Sequence, residues 1–552
     1  MSLDALAAEY VDAFFRFRPE HAVARGYEPH ADRDPSFAPP AVAAFRAAVE
    51  HARRAVAATP RRPPDSEAAL DREALRADLA GATFFIDELG WLDVNPLLYL
   101  QAGIDAFEGL ELLDHLAPER RRALMVHRLR GLGPLLAEME GRVHEPVAPF
   151  AEAALEMAAA AIDTMAAHAV SWRRDRTLAG AAAEAARALE RTCHHLTRAL
   201  RDARPFEPMG EARYRRLLAD VHCLEHEPAA LVALAERTLG EVEAVLPAIM
   251  RAEAALPSVE PPPGFGRDTV LAYVNDEVRA LREAVRERGL LTIPEGRLEV
   301  LETPPYLQAL LPGASYMPPP PFAPSSTGRF YVPPVPEEMD DDLRRYYADM
   351  IAHRRMRNLV AHEVYPGHHV QLLRAAEHPS IIRKVRDNDV LVEGWALYCE
   401  QLMVDEGLFE ALPSARPWRA LRLRALRVVV DVGLHTGRLG YQEAIELMCR
   451  RLGHGARGFV EAEIRRYVAE PTQAMSYLVG KQLVLELRAA WRDAVGSRHF
   501  DLRDFHDRLL AEGSVPLPLI AAKMLADARL LRPTVAMAPR TRRRASPRPA
   551  GN

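Results

Sequence analysis

Cysteine is scarce in this chain of 552 residues: four in all, Cys193, Cys223, Cys399 and Cys449, scattered and never in a CxxC pair. That scarcity argues against a disulfide scaffold and fits free thiols in a reducing cytoplasm. Long uninterrupted apolar runs are missing too. Even the alanine-rich stretch 151–170 is broken by Glu152, Glu156, Asp163 and His168, so no membrane span is expected. Neither sign of charge dominates. The 71 Lys and Arg against 77 Asp and Glu leave a formal net charge of −6, which gives no basis for nucleic-acid binding. Asp4 follows Met1-Ser2-Leu3 at once, with no basic segment, so no secretory signal is expected. A soluble, cytoplasmic protein is the expectation. Strand-like runs are few, and no internal repeat stands out.

Helix-forming sequence is abundant. Residues 1–256 are rich in Ala, Leu, Arg and Glu, all strong helix formers. Leu75, Leu79, Ala82 and Ile86 recur at the spacing of one helical face, and Ser66 before Glu67 is a start signal. Breaks at Pro134 and Pro205 separate such helices, which predicts an antiparallel helical array. Pro257-Ser258-Val259-Glu260-Pro261-Pro262-Pro263-Gly264 closes this N-terminal lobe. Residues 257–339 read as proline-rich loops and short strands around Pro318-Pro319-Pro320-Pro321, lining a cleft between lobes or serving as a plain linker. Residues 340–532 return to helix, and 533–552, with Arg540, Arg542, Arg543 and Arg544, read as a disordered basic tail. The expected fold is mainly α: large, helical and two-lobed, with a small β-sheet beside a cleft.

The chemistry concentrates in His362-Glu363-Val364-Tyr365-Pro366-Gly367-His368-His369 and in Glu393. A hydrolytic zinc site needs three protein ligands, an open position for water, and a carboxylate to take that water's proton. Residues 346–360 lack proline and glycine and roughly keep a helical period, so the motif is expected at the end of one helix. In the common zinc-peptidase motif two histidines stand four apart and share a face. Here the fourth residue after His362 is Pro366. His368 and His369 stand further on, a rise of roughly 9 and 10.5 Å on an ideal helix. Pro366 lacks the N–H that would bond to the His362 carbonyl, and Gly367 accepts unusual backbone angles. If these two residues loop out, His368 reaches the ligand position; if three are absorbed, His369 does. His368 is preferred, with His369 as the alternative or as a supporting neighbour. Glu393 sits among Val392, Trp395, Ala396 and Leu397, where a buried carboxylate needs a cation or a partner. Glu400 would orient a ligand or lie at the surface. The plain alternative, a helix ended by Pro-Gly beside surface histidines, leaves Glu393 unexplained.

These strings, together with Glu393-Gly394-Trp395-Ala396-Leu397-Tyr398, Pro471-Thr472-Gln473-Ala474-Met475-Ser476-Tyr477 and Gly480, resemble the DUF885 family. Asp431-Val432-Gly433-Leu434-His435 and Gly328-Arg329-Phe330-Tyr331-Val332 match its pattern as well. That family is grouped with the zincin-like metallopeptidases, and some members are carboxypeptidase-like. The resemblance spans most of the chain. It implies a zincin-like fold, His362 and His368 as ligands of one zinc ion per chain, Glu393 as the third ligand, and Glu363 as base and proton shuttle. The family usually has glycine where this chain has Thr472, so the turn leading to Tyr477 is expected to differ slightly.

A zinc hydrolase also needs a donor for the developing oxyanion. Tyr477 is the first choice and His435 the second. A partly buried helix tyrosine, and a histidine favoured by the dipole at a helix C-terminus, are the plain accounts of the two. In a C-terminal exopeptidase a cation must meet the substrate carboxylate, and Arg465, Arg466 and Lys481 flank the same segment. The strand-like run Gly328-Arg329-Phe330-Tyr331-Val332-Pro333 is expected, by analogy with zincins, at a sheet edge where Tyr331 lies along bound substrate. The expected activity is zinc-dependent hydrolysis of peptide bonds, carboxypeptidase-like or oligopeptidase, with a peptide or small amide as the partner. Alternatives are the same site acting on a small-molecule amide or ester in biosynthesis, and a non-catalytic helical binding protein. The last predicts loss of a base or ligand, yet Glu363 and Glu393 are both present.

Overall fold

Ser66 starts a helix as its position suggests: its hydroxyl accepts from the Ala69 N–H at 3.3 Å, and Glu67–Thr83 follows with Leu75 and Leu79 buried. Such helices dominate this computed structural model, which describes residues 2–531 apart from 61, 64, 112–115, 304–312, 324–325 and 410–413. The basic tail expected at 533–552 lies outside the described residues, as does part of the proline-rich stretch. Helices Ala148–Ser171 and Arg176–Ala199, joined by a short turn, pack together and bury Ala154 and Ala158 on one, Ala181, Ala182 and Ala185 on the other. Contrary to the sequence reading, Ala148–Ser171 is by length and composition apolar enough to cross a membrane, because its acids still leave a sufficiently apolar window.

Pro134 does not break the chain. It lies inside Pro118–Arg142, as Pro247 lies inside Pro228–Ala254. A proline there deletes one helical hydrogen bond, but buried Leu132, Leu135 and Leu136 on either side hold the helix to its neighbours. One apolar core joins Pro118–Arg142 and other helices of the first 200 residues to those after residue 340, running from Leu6 and Tyr10 through Phe330 and Trp395 to Met524, while Pro228–Ala254 packs in separate clusters with residues 415–432.

Among the described residues the sheet has three strands, β1 (Arg297–Glu302), β2 (Ser315–Met317) and β3 (Thr327–Val332), in the order β1-β3-β2. β3 runs parallel to β1, pairing Val300 with Phe330, and antiparallel to β2, pairing Tyr316 with Phe330. This corrects the placement of the 328–333 run at an edge. β3 is the central strand, both its sides are paired, and Tyr331 is buried, so neither its backbone nor Tyr331 is open to a substrate. The run carries a strong strand signal because it is the buried middle of the sheet. β2 is short, lies in proline-rich sequence and gave no such signal.

The single helix expected through 346–360 is two helices, Asp341–Ala352 and Arg357–Glu363. Between them Arg354 adopts a left-handed conformation (φ 48°), with Arg354 N–H donating to Ile351 O and Arg355 N–H to Met350 O. That is the hydrogen-bond pattern of a helix terminator normally signalled by glycine. An arginine fills the position here, so the sequence carries no mark of it.

Helices Asp389–Asp405 and Gln473–Val495 cross backbone to backbone at Gly394 and Gly480. A Cβ on Gly480 would lie 1.8 Å from the Val390 carbonyl oxygen, and one on Gly394 would lie 2.4 Å from Gly480 Cα. Helix backbones cannot yield by such amounts. Gly480→Ala is therefore expected to destabilise the fold by about 3 kcal/mol or more, read as a lowered urea midpoint. The crossing sets Glu393 and Tyr477, one residue before Gly394 and three before Gly480, within electrostatic reach of each other.

Candidate metal centre

His362 lies in the last turn of Arg357–Glu363, and His368 opens the next helix, His368–Ala376. Pro366, lacking an N–H, cannot extend the first helix. The expected two-residue bulge is thus a full break between two helices. Gly367 is needed for close approach rather than for an unusual φ: its φ is −71°, but a Cβ there would sit 1.8 Å from the His362 carbonyl oxygen. Trp395 Nε1 donates to the Pro366 carbonyl at 3.0 Å and ties this turn to the helix that carries Glu393.

The break brings His362, His368 and Glu393 together. Nε2 of His362 and Nε2 of His368 lie 3.6 and 3.7 Å from the same Glu393 oxygen, Oε2. One donor atom from each of the three residues lies within 4.8 Å of the others. The two nitrogen–oxygen separations are long for hydrogen bonds. They approach the roughly 3.4 Å edge of a tetrahedron whose corners stand about 2.0–2.1 Å from its centre, the distances of zinc ligands. Glu393 Oε2 is buried and accepts no hydrogen bond among the described residues. A carboxylate oxygen so placed calls for a cation, and the residues fit a zinc ion.

Glu400 does not lie at the surface. It is buried, its Oε1 is 2.9 Å from His362 Nδ1, and its Oε2 accepts from Asn358 Nδ2 at 2.7 Å. This fixes the His362 ring with Nε2 facing Glu393, the arrangement by which an outer carboxylate orients a ligating imidazole. Glu400→Ala is expected to weaken zinc binding about 10–100-fold, measured by competition with a chelator. His369, the alternative ligand, faces elsewhere. Its Nδ1 is hydrogen-bonded to the Tyr316 hydroxyl of β2 at 2.9 Å, and burial, helped by the Arg282 charge, pushes its pKa down to about 4. Gly328 makes room for that tyrosine, since a Cβ there would stand 2.3 Å from the Tyr316 hydroxyl.

Glu363 is largely buried beside the cluster. Burial raises its pKa, opposed by the charges of His362 and His368 and reinforced by Glu393. Tyr477 is half-buried, and burial together with the Glu393 charge pushes its hydroxyl up to about 12, so it keeps its proton at neutral pH. Arg424, on helix Arg416–Thr436, escaped the sequence reading. Its guanidinium is 5.7 Å from the centre of the Tyr477 ring, and its charge acts on both Glu363 and Glu400. Its Nε is buried without a hydrogen-bond partner among the described residues. Arg427 lies nearer the same ring, at 4.9 Å, but is paired with Glu463 at 2.7 Å. Nothing in the sequence separates Arg424 from Arg416, Arg419, Arg422 and Arg427 on the same helix.

Thr472 adopts the left-handed conformation (φ 73°), which explains why glycine suits that position. Its backbone N–H donates to Asp431 Oδ1 at 3.2 Å, its hydroxyl lies 2.8 Å from His222 Nε2, and Asp431 also accepts from the Tyr214 hydroxyl at 2.6 Å. These bonds offset the roughly 1–2 kcal/mol that the conformation costs a residue with a Cβ.

Other expected site residues lie apart. His435 is buried against Tyr214 and Phe206, with Nε2 2.9 Å from the Tyr467 carbonyl oxygen, and burial pushes its pKa to about 4. None of these contacts is with the cluster, so His435 is a core residue rather than an oxyanion donor. Arg465 pairs with Glu156 at 2.9 Å. Arg466 pairs with Glu463 at 3.2 Å, bonds to Gln473, and acts on Tyr477 only through its charge. Lys481 lines a separate cavity with Glu400 in its wall.

The family model described as "Bacterial protein of unknown function (DUF885)" matches residues 19–524. No curated protein matches the sequence significantly. Two solved structures share the fold: one of a "putative lipoprotein of unknown function" from Shewanella oneidensis and one of a "putative lipoprotein" from Colwellia psychrerythraea. They superpose with TM-scores of 0.72 and 0.76, each at 20% identity, over 95% and 96% of this chain and 100% and 99% of theirs.

Proposed function

The chain belongs to the DUF885 family, and we propose that it is a zinc-dependent peptidase of carboxypeptidase-like action. The observation that carries this reading is the buried Glu393 oxygen that accepts no hydrogen bond and faces one ring nitrogen each of His362 and His368. Two imidazoles and a carboxylate are a donor set that favours zinc. A zincin-like, two-lobed arrangement around a cleft belongs to the same reading. So does a cytoplasmic setting, for which four unpaired cysteines speak.

A zinc ion held by His362, His368 and Glu393 would supply Lewis-acid chemistry, lowering the pKa of water toward neutrality. The protein's own groups do the rest. Glu363 accepts the proton of the attacking water as the oxygen–carbon bond forms, and passes it to the amine nitrogen as the carbon–nitrogen bond breaks. Tyr477, keeping its proton, donates to the carbonyl oxygen as negative charge builds there. Arg424, with no ion-pair partner among the described residues, meets the terminal carboxylate of the peptide, the bidentate geometry a guanidinium suits best.

The test is hydrolysis of short peptides bearing a free or an amidated C-terminus. The wild type is expected to prefer the free acid, and Arg424→Gln to raise KM for that substrate about tenfold or more, the usual weight of a hydrogen bond between charged groups, with little change for the amide. Equal cleavage of both forms would replace carboxypeptidase action by oligopeptidase action. Failure of the zinc-loaded enzyme on every peptide would overturn the reading.

A further inference from the structure

Four residues beyond Glu393 and Tyr477, Leu397 and Lys481 border a partly enclosed cavity of about 270 Å³. It shares Glu400 and Asn358 with the support of the candidate metal centre, but none of His362, His368, Glu393 or Glu363 lines it. Trp418, Leu421, Phe409 and Leu397 give it apolar walls.

Several cations face this space, and they differ in how they are held. Arg357 is paired with buried Glu277 at 2.8 Å, and Arg355 with Asp349 at 2.8 Å. Lys481 is only 8% exposed, yet among the described residues its ammonium, with three N–H donors, makes a single long hydrogen bond, 3.3 Å to Gln401 Oε1. Burial pushes its pKa down; Glu400, Asp405 and Glu241 oppose this through their charges without bonding to it. The guanidinium of half-buried Arg416 has no hydrogen bond or ion pair among the described residues, although its backbone N–H donates to Ser414. Lys481 and Arg416 thus border one cavity with two ammonium donors and a guanidinium unbonded among the described residues, and burying such cations costs stability unless an anion meets them. The apolar walls then decide what kind of anion.

We propose that this cavity is a second binding site, separate from the metal centre, for a small organic anion. Its ring-sized apolar body lies against Trp418 and Leu421, and its carboxylate or phosphate lies between Lys481 and Arg416. A bare inorganic anion would leave the apolar wall wet, and a neutral aromatic molecule would leave both cations unpaired.

The test uses the full-length protein, zinc-loaded and after chelation, titrated by calorimetry with 4-phenylbutyrate, phenyl phosphate and neutral 4-phenylbutanamide. At least one anion is expected to saturate a single site per chain and to bind about tenfold or more tightly than the amide; which anion does so identifies the head group. Lys481→Gln and Arg416→Gln should each weaken it about tenfold. Arg416, being half-buried, is the variant that tests the site should Lys481→Gln fold poorly. Glu393→Ala, which removes a zinc ligand, should bind the anion as the wild type does. The proposal is overturned if the amide binds as tightly as the anions, if neither anion saturates, or if both substitutions are without effect. Loss of binding in Glu393→Ala or after chelation would also overturn it, because the anion would then be sitting on the metal. Because the expected binding needs no zinc, the fate of this site is independent of the peptidase reading.

Discussion

Glu393→Ala and His368→Ala are each expected to emerge from purification without metal, where the wild type carries about one zinc per chain. The geometry makes the loss steep. The three donors come from three separate helices, and removing one leaves two protein ligands, one fewer than a hydrolytic zinc site with an open position for water requires. The fold should survive, since the crossing at Gly394 and Gly480 and the Trp395 bond to Pro366 do not involve the Glu393 carboxylate. Zinc at about a thousand times its Kd stabilises a protein by about 4 kcal/mol, so chelation should lower the melting temperature of the wild type and leave the two variants unmoved. His369→Ala is the control. Its ring is turned to Tyr316, and this variant should keep its metal. Metal lost from His369→Ala and kept in His368→Ala would reverse the ligand assignment. A metal-free wild type after reconstitution with zinc would mean that the cluster holds none.

The clustering of His362 with a second histidine was legible in part, because a proline and a glycine between two histidines interrupt a helix; that His368 rather than His369 joins Glu393 there is seen only in the structure. Pro366 stops the helix, Gly367 lets the chain fold back, and the second histidine returns to the first. The helical class was legible from composition and periodicity. What stayed hidden depended on contacts between residues far apart in the chain. The left-handed Arg354 has no glycine to mark it. β2 carries too few residues to show a pattern. Glu400 could be placed on the face of Glu393 by spacing, but its bond to His362 belongs to the tertiary structure. Arg424 is one of five arginines on a single helix, and only the fold shows which one faces Tyr477, Glu363 and Glu400 together. His435 misled for the converse reason, as a titratable residue in a family motif whose place is in the core.

Glu363→Gln should separate binding from chemistry. Glutamine has the shape of glutamate and the same reach from the end of the Arg357–Glu363 helix, but it cannot accept a proton. The residue ligates nothing in this arrangement, so zinc content should equal that of the wild type, and KM for a good peptide should change little. The rate is another matter. General acid–base catalysis contributes about 10²–10⁴-fold, and Glu363 is assigned both halves of the proton's path, from water to carboxylate and from carboxylate to amine. A fall in kcat of that size, with zinc and KM retained, is the expected outcome, measured by steady-state hydrolysis beside metal analysis of the same preparation. A variant that loses zinc instead would show Glu363 to be a ligand, and the tetrahedral set would have to be redrawn around it. A variant with full zinc and undiminished kcat would move the base elsewhere. Burial disfavours the charged form of Glu363, and among the described residues its carboxylate has no hydrogen-bond or ion-pair partner to hold it as a purely structural group.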